Sequence, residues 1–437
     1  MNLIKNIGNK LRPYQVLNNT MIVFMGNIVA YGINFLTIVL LARYFGSSKL
    51  SLYTITTTLL TLLLAIADSG IANTLVKFIN SKDQDENLKL RYFKAGLYLR
   101  ICISILIFLF GLLCSDQLAT YFNASGQLKD LFFMSFIGVL VLTVHGYISM
   151  KLQAEERFVD RSIFLTITAV IRFVPILVLL LLYPKYLNLE SAVSIYIFTP
   201  IIVTIFYGKE LFLILRTHVT IQELKRTFLE IYHYCKWLFL SMVAVLLIMR
   251  LDQFLLLKLG TVEEASIYSV ATQFAMILPL LTDSLMTAML PSITKKNQDL
   301  LEYRKKIIRS IIPVGTLIFI LCIPLSFILT VIFGEEFQKS VPVFLIIVLG
   351  YIIGLLLNPL SLIFYSLSKV KYLTMLNYIQ LLLIIVIDSL LIPRYGAIGA
   401  ALGVVAVRVF ALFYVGYITK RVIHHSKNME KRNEYIS

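Results

Sequence analysis

Residues 42–55 read ARYFGSSKLSLYTI, and residues 256–270 read LLKLGTVEEASIYSV. Both stretches follow a long apolar run, place a phenylalanine or leucine before a glycine, and reach a tyrosine seven or eight residues later. Two further landmarks return in the same order, residues 118–123 as 329–334 and residues 184–186 as 393–395. Because all three lie in short breaks between apolar runs, the sequence predicts two copies of one membrane unit.

The apolar runs set the class of protein. The chain has 437 residues, of which 59% are hydrophobic and 15% charged, and its mean hydropathy is +0.84. Such a composition excludes an ordinary soluble domain. Runs of about 20 apolar residues, the length that a helix needs to cross a bilayer, recur throughout the chain. They predict twelve spans, at residues 20–41, 51–79, 95–114, 131–150, 162–183, 191–215, 237–257, 265–290, 308–333, 341–366, 371–392 and 397–419.

The predicted fold is an all-α polytopic membrane protein with about twelve transmembrane helices in two six-helix lobes. An even number of helices in each copy makes the two copies parallel rather than inverted. The predicted divisions are an N-terminal lobe at 1–215, a cytoplasmic linker at 216–236, a C-terminal lobe at 237–419 and a cytoplasmic basic tail at 420–437. The charged, amphipathic composition of the linker is typical of a helix at a membrane surface.

The basic residues predict the orientation. The net charge is +16, and most of the 40 lysines and arginines fall in the two terminal segments and in every second loop. Only seven lie in the opposite loops: Arg43, Lys49, Lys129, Lys185, Lys258, Lys339 and Arg394. This asymmetry follows the positive-inside rule, so both termini are predicted in the cytoplasm and the basic charge does not indicate nucleic-acid binding. The first span is too long for the apolar part of a cleaved signal peptide, so it is expected to remain as an anchor.

Catalysis is not expected. The predicted outer loops are short, and no nucleophile–base or paired-carboxylate motif stands out on them. Four cysteines stand singly, without metal-ligand spacing, which favours small buried side chains over a metal site. The sequence therefore predicts no metal and no cofactor apart from a coupling ion.

Charged residues inside the predicted spans are candidate functional residues, because each costs about 2.5–3.5 kcal/mol at the bilayer centre on insertion scales. There are four arginines and four aspartates: Arg100, Arg172, Arg250, Arg408, Asp68, Asp252, Asp283 and Asp388. Asn27, Asn34 and Asn358 fall on polar stripes at helical spacing. These groups either line a shared hydrophilic interior or hydrogen-bond one helix to another. His145 is interpreted as a packed residue rather than a proton relay.

Several of these motifs resemble a known family. Residues 43–46 with Asp68-Ser69-Gly70, residues 250–253, and residues 395–401 are similar to signatures of Wzx-type polysaccharide-unit flippases. These flippases belong to the multidrug/oligosaccharidyl-lipid/polysaccharide exporter superfamily. The resemblance covers nearly the whole chain and implies two six-helix lobes around a central cavity that opens alternately to each side of the bacterial inner membrane.

The resemblance also implies a substrate, undecaprenyl pyrophosphate carrying a short oligosaccharide. Arginine suits pyrophosphate because its planar fork binds phosphate oxygens bidentately. The candidate substrate-binding residues are Arg172 and Arg408, then Arg250 and Arg100, with Asn27, Asn34 and Asn358. The candidate coupling residues for a proton or sodium ion are Asp68, Asp283 and Asp388. The implied partners are the lipid-linked oligosaccharide, membrane lipids, and a polysaccharide polymerase with chain-length proteins, but no nucleic acid.

Other functions stay open at this point. A cation-coupled drug antiporter of the same superfamily would use Asp68 or Asp283 as its acidic coupling residue, although four mid-membrane arginines favour an anionic substrate. A lipid II flippase is disfavoured because that branch usually has fourteen helices. A membrane glycosyltransferase or polymerase would need a larger outer loop, and a channel would leave the duplicated, charged halves unexplained.

Overall fold

The structure is a computed structural model that describes residues 2–80, 86–121, 126–276, 278–279, 282, 300–366 and 371–434. The described residues form helices and no strand. In chain order the helices are α1 (Asn2–Asp68), α2 (Ile71–Asn80), α3 (Glu86–Tyr121), α4 (Gly126–Ala154), α5 (Phe158–Leu182), α6 (Leu189–Phe198), α7 (Pro200–Phe206), α8 (Gly208–Arg216), α9 (Ile221–Leu259), α10 (Val262–Ala275), α11 (Leu300–Phe333), α12 (Ser340–Ser366) and α13 (Lys371–Glu434).

Eight described helical stretches are long and apolar enough to cross a membrane. Two of them, Met25–Asp68 with 44 residues and Lys371–Arg421 with 51, are each long enough for two crossings. Large apolar side chains such as Leu113, Phe206 and Phe327 are more than 65% exposed, as expected for surfaces that face lipid. The all-α polytopic membrane fold is confirmed, and the orientation of the termini stays a prediction.

Breaks between helices interrupt two of the predicted spans. The second span breaks between α1 and α2, where Ser69 and Gly70 both have positive φ, 47° and 75°. The sixth is divided into α6, α7 and α8, and Pro200 begins α7, where its missing N–H is tolerated. The eighth predicted span continues beyond α10 mostly outside the described residues.

The chain divides into two compact units, residues 1–250 and 251–437. A core of unit 1 joins α2, α3, α4 and α9 and includes Phe93, Tyr147 and Ile231. A core of unit 2 joins α11, α12 and α13 and includes Tyr303 and Phe364. Because α9 is continuous from Ile221, it carries the predicted linker directly into the seventh span. The predicted lobe boundaries remain predictions.

The first and third landmarks meet in unit 1. α1 stays helical around residues 42–55 except for a kink at Gly46, whose φ of 72° and ψ of −180° suit a residue without Cβ. The third landmark is a short 3₁₀ turn at Pro184–Tyr186, followed by the Asn188 cap of α6. The Tyr44 hydroxyl donates to the main-chain oxygen of Pro184 at 2.6 Å. The two breaks therefore lie at one end of unit 1.

The same two landmarks also meet in unit 2, but the helix break and the kink have changed places. Here the first is a true break, in which Thr261 and Glu264 form a capping box at the start of α10. The third is a kink inside α13 at Gly396, with φ 54°. The Glu264 carboxylate packs directly against Gly396, where a Cβ would overlap it. The duplication predicted from residues 42–55 and 256–270 thus appears as equivalent breaks in equivalent places.

Beyond Phe206, where the apolar stretch of the sixth span ends, an ionic network joins α4, α5 and α8. Lys151 Nζ lies 2.5 Å from Glu210 Oε2, and Arg157 Nη1 lies 2.6 Å from Glu210 Oε1. Burial alone would raise the pKa of the Glu210 carboxyl, but hydrogen bonds from both cations outweigh it and hold that pKa below its ordinary value. The carboxylate in turn raises the pKa of the Arg157 guanidinium.

Candidate functional site

Unit 1 buries a pair of opposite charges where α1 ends. Arg100 Nη1 on α3 lies 3.1 Å from Asp68 Oδ1, and the two side chains are 8% and 14% exposed. Because α1 breaks after Asp68, the main-chain N–H groups of Gly70 and Ala72 are free to donate to its carboxylate. The two predicted candidates therefore neutralise each other, and neither leaves an uncompensated charge.

Arg172 on α5 is held differently. Its guanidinium carbon lies 3.9 Å above the centre of the Tyr196 ring, and its Nε donates to the main-chain oxygen of Tyr196 at 3.1 Å. Tyr53 on α1 meets the Tyr196 ring edge-on, with centroids 6.5 Å apart and planes at 89°. Among the described residues, Arg172 forms no ion pair. Arg172 is thus a half-buried positive charge that is left for an anion.

His145, behind Arg172, occupies a packed position. Its ring stacks on Phe164 with centroids 4.5 Å apart, and its nitrogens lie 3.3 Å from Thr204 Oγ1 and 3.4 Å from Thr168 Oγ1. These contacts are typical of a packed core residue.

Unit 2 buries two carboxylates against each other. Asp252 on α9 is 3% exposed and Asp388 on α13 is fully buried, and their side chains lie within hydrogen-bonding reach. Tyr268 on α10 donates to Asp252 Oδ2 at 2.5 Å. The other three carboxylate oxygens have no hydrogen-bond donor among the described residues. Two touching carboxylates cannot both stay charged away from water unless a cation balances them.

Arg408 is the cation that the structure describes beside the Asp252–Asp388 pair. It lies within electrostatic range of Asp252 and of Tyr351, and its Nη1 passes 3.6 Å from where a Cβ on Gly354 would be. No described acidic group is within 4.0 Å of it. Two carboxylates and one guanidinium leave one negative charge, the charge that a single proton or sodium ion would neutralise.

The structure does not bring the remaining predicted residues into these two groups. Arg250 is half-buried near the end of unit 1 and does not pair with Asp252. Asn27 and Asn34 are half-buried on α1, and Asn358 is half-buried on α12, where its main-chain oxygen accepts from Ser361 at 2.6 Å. Asp283 lies outside the described residues.

The threonines of the polar stripe before Asp68 bond within their own helix. Thr54, Thr57 and Thr61 each donate to a main-chain oxygen three or four residues earlier, at 2.9–3.0 Å. Such bonds satisfy the hydroxyl and need no partner elsewhere. These threonine hydroxyls bond along their own helix rather than from one helix to another, whereas Asp68 pairs with Arg100 on α3.

Sequence reasoning left three residues of these groups out of the candidate site. Asp252 was counted among the intramembrane charges but not as a site residue, because its distance from Asp388 along the chain hides the contact. Tyr268 and Tyr196 were also left out. A signal for Tyr268 was present, since it belongs to the repeated landmark together with Tyr53.

Comparisons with solved structures give the same fold. The chain is similar to the lipid II flippase MurJ in an inward closed conformation, with TM-score 0.74 and 16% identity over 92% of this chain and 87% of that one. It is similar to an inward-facing multidrug resistance MATE family transporter of the MOP superfamily, with TM-score 0.73 and 13% identity over 91% and 95%. A MOP superfamily transporter from Pyrococcus furiosus matches with TM-score 0.61 and 13% identity over 94% and 96%.

At these identities the structural likeness shows the fold. The sequence comparison with curated proteins gives no match. The structural neighbours named here are a flippase and transporters. The family described as "Polysaccharide biosynthesis protein" matches residues 16–297, which is more than half of the chain. The chain therefore belongs to this polysaccharide biosynthesis protein family.

Proposed function

We propose that this protein is a flippase for an undecaprenyl-pyrophosphate-linked oligosaccharide repeat unit. It moves the unit from the cytoplasmic to the periplasmic leaflet by alternating access, for O-antigen or a related surface polysaccharide. Membership of the polysaccharide biosynthesis family supports a lipid-linked transport substrate. The observation that carries the proposal is the unpaired guanidinium of Arg172, which leaves a positive charge for an anionic headgroup.

Arg172 is proposed as the primary pyrophosphate contact. Its Nε and one face of its guanidinium are occupied by Tyr196, so the two terminal nitrogens remain for a bidentate contact with phosphate oxygens. Arg408 and Arg250 also lack an ion pair among the described residues and follow as secondary candidates. Arg100 ranks last because Asp68 holds it at 3.1 Å. Asn27, Asn34 and Asn358 are proposed to contact the sugars.

Asp252 and Asp388 are proposed as the coupling site. The residual negative charge of their group with Arg408 supports binding of one proton or one sodium ion. Asp388 was expected in this role, and Asp252 joins it because the two carboxylates touch. Asp68 is a weaker candidate, since Arg100 already compensates it. Asp283 stays a prediction.

The setting of this transport is proposed to be the bacterial inner membrane, with both termini in the cytoplasm. The predicted lobes at 1–215 and 237–419, joined by the linker at 216–236, would be the bodies that move. Partners would be the lipid-linked oligosaccharide, the surrounding lipids, and a polymerase with chain-length proteins that consume the flipped unit.

The decisive experiment locates the lipid-linked oligosaccharide in a strain that lacks this gene. If the protein is the flippase, the oligosaccharide accumulates in the cytoplasmic leaflet, where a periplasmic lectin cannot reach it. A normal periplasmic amount, with no parallel transporter present, would contradict the function.

The site assignment is tested in the same strain with Arg172→Ala. We expect surface polysaccharide to be lost while the protein remains in the membrane. Arg216→Ala is the matched control, because Arg216 also lies over an aromatic ring, Phe212, but on an exposed surface. Normal polysaccharide in the Arg172→Ala strain would refute the assignment of Arg172 without refuting the flippase.

A cation-coupled drug antiporter is the second candidate, and the buried carboxylate pair favours it, because a cationic drug and a coupling cation can compete for one negative site. The two functions differ in what deletion of the gene does. Loss of drug resistance with unchanged surface polysaccharide would support the antiporter, whereas loss of polysaccharide with unchanged resistance would support the flippase.

A further inference from the structure

Two tyrosines occupy equivalent places in the two copies. Tyr53 lies seven residues after Gly46, and Tyr268 lies eight residues after Gly260. Both rings are buried, with exposed fractions of 4% and 3%. In unit 2 the tyrosine contacts an intramembrane charge directly, and in unit 1 it contacts one through a second aromatic ring; the two charges have opposite sign.

In unit 2 the contact is a hydrogen bond. The Tyr268 hydroxyl donates to Asp252 Oδ2 at 2.5 Å and fixes one oxygen of that carboxylate. A buried carboxylate with one oxygen held is oriented, because rotation would break the hydrogen bond. Tyr268 thereby determines which oxygen of Asp252 remains for Asp388 or a cation.

In unit 1 the contact passes through a second ring. Tyr53 meets the Tyr196 ring edge-on, and the face of Tyr196 carries the Arg172 guanidinium at 3.9 Å. The main-chain oxygen of Tyr196 also accepts from Arg172 Nε at 3.1 Å. An edge-to-face contact fixes the plane of Tyr196, and a fixed plane fixes the guanidinium that stacks on it.

We propose that Tyr53 and Tyr196 are positioning residues for Arg172. They hold the guanidinium plane so that its two terminal nitrogens meet a pyrophosphate together rather than one at a time. The inference rests on the proposed function. It extends that function by assigning the duplicated tyrosine one task in both units, the orientation of a buried charge.

The main test uses the purified full-length protein and undecaprenyl pyrophosphate as probe, with affinity measured by native mass spectrometry. Tyr196→Met keeps an apolar side chain but removes the aromatic face, and we expect it to weaken binding by about tenfold to thirtyfold, the range of a desolvated cation–π contact. Tyr196→Phe retains the ring and the main-chain acceptor and should restore most of the affinity. Tyr53→Leu should weaken binding by about threefold to tenfold through loss of the edge-to-face support.

The control uses an aromatic pair of similar geometry that carries no guanidinium. Tyr183 and Tyr186 meet edge-on with centroids also 6.5 Å apart, but both are more than half exposed. Tyr183→Leu should leave the affinity for the probe unchanged.

A double-mutant cycle separates positioning from a merely structural role. In the Arg172→Ala background, Tyr196→Met and Tyr53→Leu should cause no further loss of affinity, because the group that they position is gone. A loss of the same size in both backgrounds would overturn the inference, as would wild-type affinity in both tyrosine variants. If Arg172→Ala itself binds the probe normally, the assignment of Arg172 in the proposed function fails instead, so the two failures are distinguishable. Should Tyr196→Met fail to fold, Tyr196→Leu in the same cycle provides the comparison.

Discussion

Unit 1 buries a pair of opposite charges, whereas unit 2 buries a pair of like charges. Arg100 and Asp68 lie 3.1 Å apart and compensate each other, so the charge of this pair is complete without any ligand. Asp252 and Asp388 lie together as two acids, and Arg408 is the cation that the described residues place in electrostatic range, so this described group is one positive charge short. A complete pair can serve as a fixed clamp, and an incomplete one can take up one proton or one cation.

The difference arises although the helices are duplicated. At the offset of the first landmark, the position that matches Asp252 falls at Thr37 or Ile38 in the first copy, and no carboxylate is there. Thr37 is buried, and its hydroxyl donates to Ile33 in its own helix. The helix breaks and the tyrosines were thus kept in both copies, while the charges diverged. One unit retains a spare cation at Arg172, and the other retains a spare negative charge.

The largest effect is expected from completing the incomplete pair. Asp388→Asn keeps the shape of the side chain but removes one negative charge, so the remaining carboxylate and Arg408 balance without an added cation. Transport should then lose its dependence on the proton or sodium gradient. The factor by which the gradient stimulates transport should fall by about 5- to 150-fold, the usual range for coupling between two sites.

The measurement is uptake into inverted vesicles or surface polysaccharide under an imposed and a collapsed gradient. Asp116→Asn is the matched control, because Asp116 is 66% exposed and pairs only with Lys129. An Asp388→Asn protein that still follows the gradient would show that the carboxylate pair is not the coupling site.

The second effect comes from breaking the complete pair. Arg100→Leu or Asp68→Leu alone leaves one uncompensated buried charge, and such single losses typically cost about 3–5 kcal/mol of folding free energy. The double variant removes both charges and should recover most of that loss. Unfolding in mixed detergent micelles measures all three.

The free energy of unfolding of Asp252→Asn, measured in the same way, should not fall, in contrast to that of Asp68→Leu. Removing one of two touching carboxylates relieves their repulsion, so this variant should be at least as stable as the unsubstituted protein. Equal destabilisation by Asp252→Asn and by Asp68→Leu would remove the distinction between the two units.

The repeat and the apolar spacing made the fold predictable from the sequence, because the length and period of the runs alone require membrane helices. For the charged groups, the sequence allowed a prediction of the residues involved but not of the contacts between them. Four arginines and four aspartates were visible, but which of them touch depends on helices far apart in the chain, such as α9 and α13. Asp68 and Arg100 were assigned to different roles, since nothing local in the sequence indicates that α1 ends beside α3.

The third effect concerns the space around each pair. A Cβ at position 403 would overlap Asp388 Oδ1, whereas a Cβ at position 146 would lie 3.0 Å from Arg100 Nη2, the end of a long flexible side chain. Gly403→Ala must therefore displace the carboxylate, at a cost of about 1–3 kcal/mol for overpacking, and Gly146→Ala should cost clearly less. Unfolding free energies and gradient dependence of the two variants test this. Equal effects of both would mean that Asp388 moves as freely as Arg100.

The smallest effect sharpens the comparison with an ionic network outside the apolar spans, in which the Arg157 side chain is 39% exposed. Glu210 bonds to Lys151 and Arg157 outside the apolar spans, and these cations hold the pKa of its carboxyl below its ordinary value of 4.5. A lowered folded-state pKa means that the network contributes its full stability above about pH 4.5 and loses it as the pH falls through the folded value. Glu210→Gln should cost about 1–2 kcal/mol at neutral pH, because Lys151 is left buried, and the cost should shrink in acid. Parallel unfolding profiles of the two proteins from pH 7 to pH 3 would contradict this.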